Sequence, residues 1–316
     1  MKPTPPIILD AIAVESLLPN VDVLGELRSM FAALGHGLAV QPPQSLTLFP
    51  EDKGDFITYL GAVADSGVFG AKLSPYLVTE DVPIITAWTV LMSMQSGQPL
   101  MMCDSGVLTT ERTAATTALA VDLLTGEEAN QIAIIGSGAV AQAHWRHVQA
   151  LRPWQKVKLY SPSLGGNRAL RDTWKSLCTD IEFADTAENA AKGADVVMLC
   201  TSSGTPVLEE SCIAPHALVT SISTNVAQAH EIAPSFLNSA QVYCDYRATT
   251  PTTAGEMVLA AKECGWSSDL LCGDLGELLT DRCSLPNTKQ PVFFRSVGLG
   301  LEDIAIAHAI YRANGA

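Results

Sequence analysis

Basic side chains are scarce. The 316 residues hold 19 Lys and Arg against 33 Asp and Glu, a formal charge of −14. The few cations are scattered and form no patch, which argues against a nucleic-acid partner, because neutralising phosphates takes clustered Lys and Arg. A small-molecule ligand is expected instead. Long apolar runs are missing too: no stretch of about eighteen such residues offers a membrane span. The first residues, MKPTPPIILDAIAVESLL, carry acids and prolines where a secretory signal would be apolar. These readings predict no membrane partner and a cytoplasmic location. The eight cysteines, at 103, 178, 200, 212, 244, 264, 272 and 283, include no C-x-x-C pair. They suggest neither a zinc site nor a disulfide framework and are expected to be buried thiols. His144 and His147 share a helix-like spacing without a carboxylate or cysteine partner nearby, so they read as helix surface and no metal is expected.

What is abundant is apolar: 47% of the residues are hydrophobic and only 16% charged, the composition of a compact protein long enough for two domains. The N-terminal region mixes a helical pattern, VDVLGELRSMFAALGHG, with strand-like runs QSLTLFP, DFITYLGAV, GVFGAKLSPYL and PIITAWTVLMSM. From about residue 125, strand candidates at 131–136, 156–161, 181–184, 195–201, 217–223 and 240–245 alternate with helical patterns. Short β-branched strands separated by helices predict an α/β fold with a doubly wound parallel sheet. The tail GLGLEDIAIAHAIYRANG has helical periodicity and reads as a final helix.

The stretch QIAIIGSGAVAQAH runs from strand through two glycines into a helix. In its G-x-G-x-x-A pattern, Gly136 permits the tight turn and Gly138 lets backbone amides approach a pyrophosphate. Ala141 lets helix pack on strand. With Ala139 and Val140, these residues form a helix start whose N–H groups and dipole favour phosphate. An acid about 20 residues on would bind the ribose hydroxyl of NAD. Ser161 stands there, followed by Ser163, Asn167 and Arg168, which suit a 2′-phosphate, so NADP(H) is expected over NAD(H).

Two cations stand in apolar surroundings: Lys72 in SGVFGAKLSPYL and Arg112 at the head of RTAATTALAVDLL. A buried cation needs an anionic partner. Two partners are open: a substrate carboxylate held by both residues, or internal ion pairs with Asp or Glu.

The stretches GAKLSP, GQPLMMCDSGVLTTERTAATTALA, the glycine turn, CTSSGTPVL and VFFRSVGLGLEDIAIAHAIY resemble the ornithine cyclodeaminase and mu-crystallin family. The likeness is greatest to its reductases of Δ1-pyrroline-2-carboxylate. It implies a homodimer in which a Rossmann domain, residues 125–297, is inserted into a discontinuous α+β substrate and dimerisation domain, residues 1–124 plus 298–316. It further implies that Lys72 and Arg112 hold a substrate carboxylate, with Gln44 and Tyr59 also on the substrate side. Thr86, Arg112 and Thr201 would lie near the cofactor, and Ser296 with Val297 at its nicotinamide end.

Two departures bear on the reaction. Asn225 stands where the cyclodeaminases carry a catalytic aspartate, and an amide cannot act as a general base. Glu231 or His230 would have to replace it. Gln44 stands where many relatives have a carboxylate-binding arginine. Reduction of a preformed cyclic imine asks less, with Asn225 orienting the imine, so the expected activity is NADPH-dependent conversion of Δ1-pyrroline-2-carboxylate to L-proline, or of its six-membered homologue to pipecolate. The alternatives are a deaminating enzyme of the ornithine cyclodeaminase or alanine dehydrogenase type, and a non-catalytic NADPH- and ligand-binding protein.

Overall fold

A computed structural model describes residues 5–223, 228–287 and 289–315. The chain divides into two compact units, residues 1–112 with 298–316, and residues 113–297. The division falls inside the helix Gly106–Leu124 rather than at its end. That helix begins before Arg112, which therefore lies within it and does not open it.

In the first unit the strands Ile7–Leu9, Pro99–Asp104, Trp88–Ser93, Val68–Leu77, Gly54–Val63 and Ala39–Val40 lie side by side; Ser45–Leu48 also pairs with Gly54–Val63. Alternation along a strand sends successive side chains to opposite faces. One cross-strand row is Ile8, Met102, Val90, Ala71 and Leu60, apolar throughout, with Ile8, Met102 and Leu60 exposed. The next row runs Leu9, Cys103, Thr89, Lys72, Tyr59, and every member is buried. The final helix, Gly300–Ala313, packs on this unit's long strands and carries Glu302 and Asp303 in its first turn.

The second unit is built on a parallel sheet. Among the described residues its order is Ile181–Phe183, Lys156–Tyr160, Gln131–Ile135, Val196–Leu199, Leu218–Ser221, Val292–Arg295, Gln241–Cys244 and Gly273–Asp274. Every neighbouring pair is parallel. The chain winds outward from Gln131–Ile135 in one direction, then returns to Val196 and proceeds in the other. This is the reversal that opens a crevice at the carboxyl ends of the two central strands. Val196–Leu199 and Leu218–Ser221 are buried at every position, as strands covered on both faces must be. Phe236 meets Phe293 edge to face in the core beneath. The fold is thus α/β, with a doubly wound sheet inserted into a discontinuous α+β unit.

Two expectations need correction. Cys103, Cys178, Cys200 and Cys244 are buried thiols, whereas Cys212, Cys264 and Cys283 are half-buried and Cys272 is exposed. His144 is no surface residue: it is fully buried, its Nδ1 2.7 Å from the Val140 carbonyl and its Nε2 3.0 Å from Thr117 Oγ1. Among the described residues no helix is long and apolar enough to cross a membrane.

Candidate functional site

The glycine turn leaves the strand Gln131–Ile135 at Gly136, whose φ is +117°. A side chain there would be strained and would collide with the Cys200 carbonyl. The turn is anchored by Gly136 N donating to the Tyr160 carbonyl at 2.8 Å and by the Trp174 indole donating to the Ser137 carbonyl at 3.1 Å. The helix Ala139–Val148 then starts at Gly138 with no side-chain cap and no acid in its first turn. Its first N–H groups are left for a ligand, and dipole and donors together favour an anion. A cavity of about 750 Å³ opens here. Gly136, Gly138, Ala139, Val140 and Ala141 line it on the turn side, with Ser161 and Ser163 on a second side and Thr201 on a third.

Asn167 and Arg168 do not line this cavity. Asn167 Oδ1 instead caps the helix Arg168–Leu177 by accepting from Leu170 N at 3.1 Å. The Arg168 side chain is 94% exposed and reaches Asp172 at 3.7 Å. The second strand ends, as expected, without an acid: Tyr160, Ser161, Pro162 and Ser163 face the cavity. The donor set fits a dinucleotide, with pyrophosphate at the turn and an adenosine ribose among the serines.

Beneath Thr201 lies a fully buried carboxylate, Glu231. Its Oε1 accepts from Thr201 N at 2.7 Å and Thr201 Oγ1 at 2.8 Å. Its Oε2 accepts from Ser221 Oγ at 2.8 Å, Ile222 N at 3.1 Å and Ser223 N at 2.9 Å. Both oxygens are committed to holding two strand ends in place, so Glu231 is not the replacement base weighed above. His230 is tied through Nδ1 to the Gln228 carbonyl at 2.8 Å. Asn225 lies outside the described residues. Ser296 Oγ and Val297 N both donate to buried Asp245, at 3.2 and 2.7 Å, and neither residue lines the cavity.

In the first unit the two cations meet the protein's own acids. Lys72 Nζ lies 3.0 Å from Asp303 Oδ1 and 2.9 Å from Oδ2, with Thr109 Oγ1 at 3.3 Å and the Tyr59 ring centroid at 4.3 Å. Arg112 Nη1 donates to Glu302 Oε2 at 3.1 Å, and its Nε lies 3.3 Å from Asp303 Oδ1. The guanidinium fits because Gly298, at φ +80°, has no side chain; a Cβ there would strike it. Of the two partners left open by the sequence, the internal ion pair is the one formed. Burial pushes the Lys72 ammonium down to about 8, against the attraction of Asp303. Burial also works against the Arg112 guanidinium, but Asp303 and then Glu302 outweigh it and hold its pKa above the ordinary value.

The model of the ornithine cyclodeaminase/mu-crystallin family matches residues 5–315. The chain belongs to that family. It is 49% identical over 312 residues to the NAD(P)H-dependent anabolic L-arginine dehydrogenase DauB of Pseudomonas aeruginosa, covering 99% of this chain and 98% of that one. It is 23% identical over 233 residues to a Δ1-pyrroline-2-carboxylate reductase of Colwellia psychrerythraea, covering 73% of this chain and 74% of the relative. Its fold is shared with the Thermococcus litoralis Δ1-pyrroline-2-carboxylate reductase solved with NADH and L-proline. There the TM-score is 0.89 at 20% identity, with 97% of each chain covered.

Within this family member, the expected residues fall into two groups. The turn residues, Ser161, Ser163 and Thr201 come together around one cavity. Tyr59, Lys72 and Arg112 come together in the first unit, where Thr86 is exposed and donates its N–H to the Pro75 carbonyl at 3.4 Å. Glu302, Asp303 and Thr109 were not anticipated. The signal for the two acids was there: they are adjacent charges in an otherwise apolar helix start, GLGLEDIAIA.

Proposed function

We propose that this protein is an NAD(P)H-dependent reductase of a carbon–nitrogen double bond beside a carboxylate, forming an α-amino acid. Carrying this reading is the uncapped helix start at Gly138, with its cavity, in a chain 49% identical over nearly its whole length to an NAD(P)H-dependent amino-acid dehydrogenase. The same likeness makes the imino acid of arginine, formed from its 2-oxo acid and ammonia, the first substrate to test. The cyclic imine that yields L-proline is the second. Ser161 and Ser163 in place of an acid favour NADPH as donor.

The buried cluster supports an amino-acid-like substrate. Lys72 and Arg112 balance Glu302 and Asp303, so the group carries no net charge at neutral pH. A bare anion added to a balanced low-dielectric cluster is costly. An iminium carboxylate adds no net charge: its carboxylate shares the two cations and its N–H the two acids. The nicotinamide, when bound, supplies hydride to the imine carbon. The C=N π pair moves onto nitrogen, and the amine takes its remaining proton from water. Holding the imine protonated and fixed in place is then the protein's main task.

A second copy of the chain is the proposed cover for the apolar row Ile8, Met102, Val90, Ala71 and Leu60, because a soluble sheet face of this kind associates when left open. Light scattering on the purified protein is expected to give twice the chain mass.

The substrate test is an absorbance assay of NADPH and NADH oxidation with three partners: the 2-oxo acid of arginine plus ammonia, Δ1-pyrroline-2-carboxylate, and pyruvate plus ammonia. Turnover is expected with the first above the other two. Turnover with the cyclic imine alone would make this a proline-forming enzyme, and none with any would overturn the reductase reading.

A further inference from the structure

The row of buried residues that contains Lys72 can be followed one strand further. Lys72 pairs with Tyr59, and Thr58 pairs with Ser45. The residue before Ser45 is Gln44, which therefore comes level with Tyr59 at the end of the row Thr89, Lys72, Tyr59. Thr89 is satisfied by Ser105, at 2.6 Å. Lys72 is satisfied by Asp303 and Thr109. Gln44 is different: its Oε1 is buried and has no hydrogen-bond donor among the described residues. Leaving an amide oxygen buried and unpaired is costly, so a ligand donor is favoured there. Gln41, three residues earlier, shows the contrast, since its own Oε1 accepts from Leu301 N at 2.9 Å.

We propose that Gln44 is a specificity-determining residue whose side-chain oxygen accepts a hydrogen bond from a cationic N–H of the substrate. This rests on the reading of the Lys72 cluster as the substrate's carboxylate end. An acceptor at the end of the row that contains Lys72 complements the cations: Lys72 and Arg112 take the acid group, and the amide takes a positively charged nitrogen that they would repel. An arginine at this position could only hold anion; a glutamine offers an oxygen as well. The substrate class is then an acid bearing a protonated nitrogen, either the α-nitrogen of the amino or imino group or the guanidinium of an arginine-like side chain.

Four ligands separate the possibilities, each titrated by calorimetry against wild type and Gln44→Leu in the presence of NADP⁺. L-Arginine has both cations, L-norvaline only the α-ammonium, the 2-oxo acid of arginine only the guanidinium, and 2-oxopentanoate neither. Loss of a hydrogen bond to a charged donor predicts a ~10- to 100-fold weaker Kd for arginine in the leucine variant. The same loss is expected for norvaline or for the oxo acid of arginine, whichever carries the cation Gln44 meets. 2-Oxopentanoate is expected to bind both proteins within about twofold. Gln44→Glu, which offers only acceptors, is expected to bind arginine at least as well as wild type. An equal loss for all four ligands, no loss for any, or wild-type protein that binds none of them would overturn the proposal. Arginine binding with this signature but without hydride transfer would contradict the reductase reading and leave the role of Gln44 standing.

Discussion

Asp303 holds Lys72 through both carboxylate oxygens, at 3.0 and 2.9 Å, across 231 residues of chain, with both side chains 1% exposed. One end of this pair is in the middle of a strand and the other in the first turn of the last helix, so the carboxylate is also favoured by the helix dipole. Arg112, Glu302 and the Tyr59 ring complete the surroundings of the ammonium.

The pair predicts opposite pH trends for activity and stability. The folded Lys72 pKa, about 8, lies below its ordinary 10.5. Between those values the folded state binds fewer protons than the unfolded one, so this residue's contribution makes stability rise with pH across that window. The charge proposed to hold the substrate is lost over the same range, so kcat/KM should fall on an alkaline limb near pH 8. Asp303→Asn removes the attraction that supports the ammonium and should move that limb to lower pH. A limb that does not move in the variant would separate Lys72 from the pH response.

Arg112→Ala should lower kcat/KM by ~10- to 1,000-fold, as expected when a charge-assisted contact is removed. Arg112→Lys should recover only part, because an ammonium cannot reproduce the guanidinium fork beside Glu302 and Asp303. Near-normal kinetics in the folded alanine variant would remove Arg112 from the site.

Cofactor preference should turn on the end of the second strand. Ser161→Asp places an acid in the cavity wall and should shift the enzyme toward NADH, since the carboxylate repels a 2′-phosphate and accepts from a 2′-hydroxyl. Arg168→Ala should weaken NADPH more than NADH, provided the exposed side chain turns toward the phosphate. Equal weakening of both dinucleotides, measured by fluorescence titration, would take Arg168 out of cofactor recognition.

Glu231 should matter through shape. Glu231→Ala orphans the donors of Thr201, Ile222 and Ser223, while Ser221 keeps Glu256, and should cost at least ~3 kcal/mol of stability in chemical denaturation. Because Thr201 and Ile222 line the cavity, NADPH affinity should fall as well. Unchanged affinity in the folded variant would show that the cavity wall does not depend on this carboxylate.

Much of the second unit was legible in the sequence, because each buried parallel strand is a short apolar run set off by helical periodicity. The glycine turn was legible for the same reason, and Gly136 is required by a backbone angle that other residues resist. The strand Val292–Arg295 was not read as one, although it sits inside the sheet between Leu218–Ser221 and Gln241–Cys244. Nothing local says that a run so late in the chain returns to the middle of a sheet. The partners of Lys72 and Arg112 were illegible for a related reason: a buried cation announces that it needs an anion, but not where along the chain the anion lies. Surface and core are also hard to separate for a single side chain, as buried His144, bonded to Thr117 on another helix, illustrates.

In the proposed reaction, hydride passes from the dinucleotide to the carbon of a C=N bond beside a carboxylate. The most direct measurement is turnover with NADPH carrying deuterium at the transferable position of nicotinamide C4, in the presence of the 2-oxo acid of arginine and ammonia, or of Δ1-pyrroline-2-carboxylate, followed by mass spectrometry of the amino acid. One deuterium is expected on the product's α-carbon with at least one of these partners. An amino acid formed without deuterium there, or no amino acid from either partner, would contradict it.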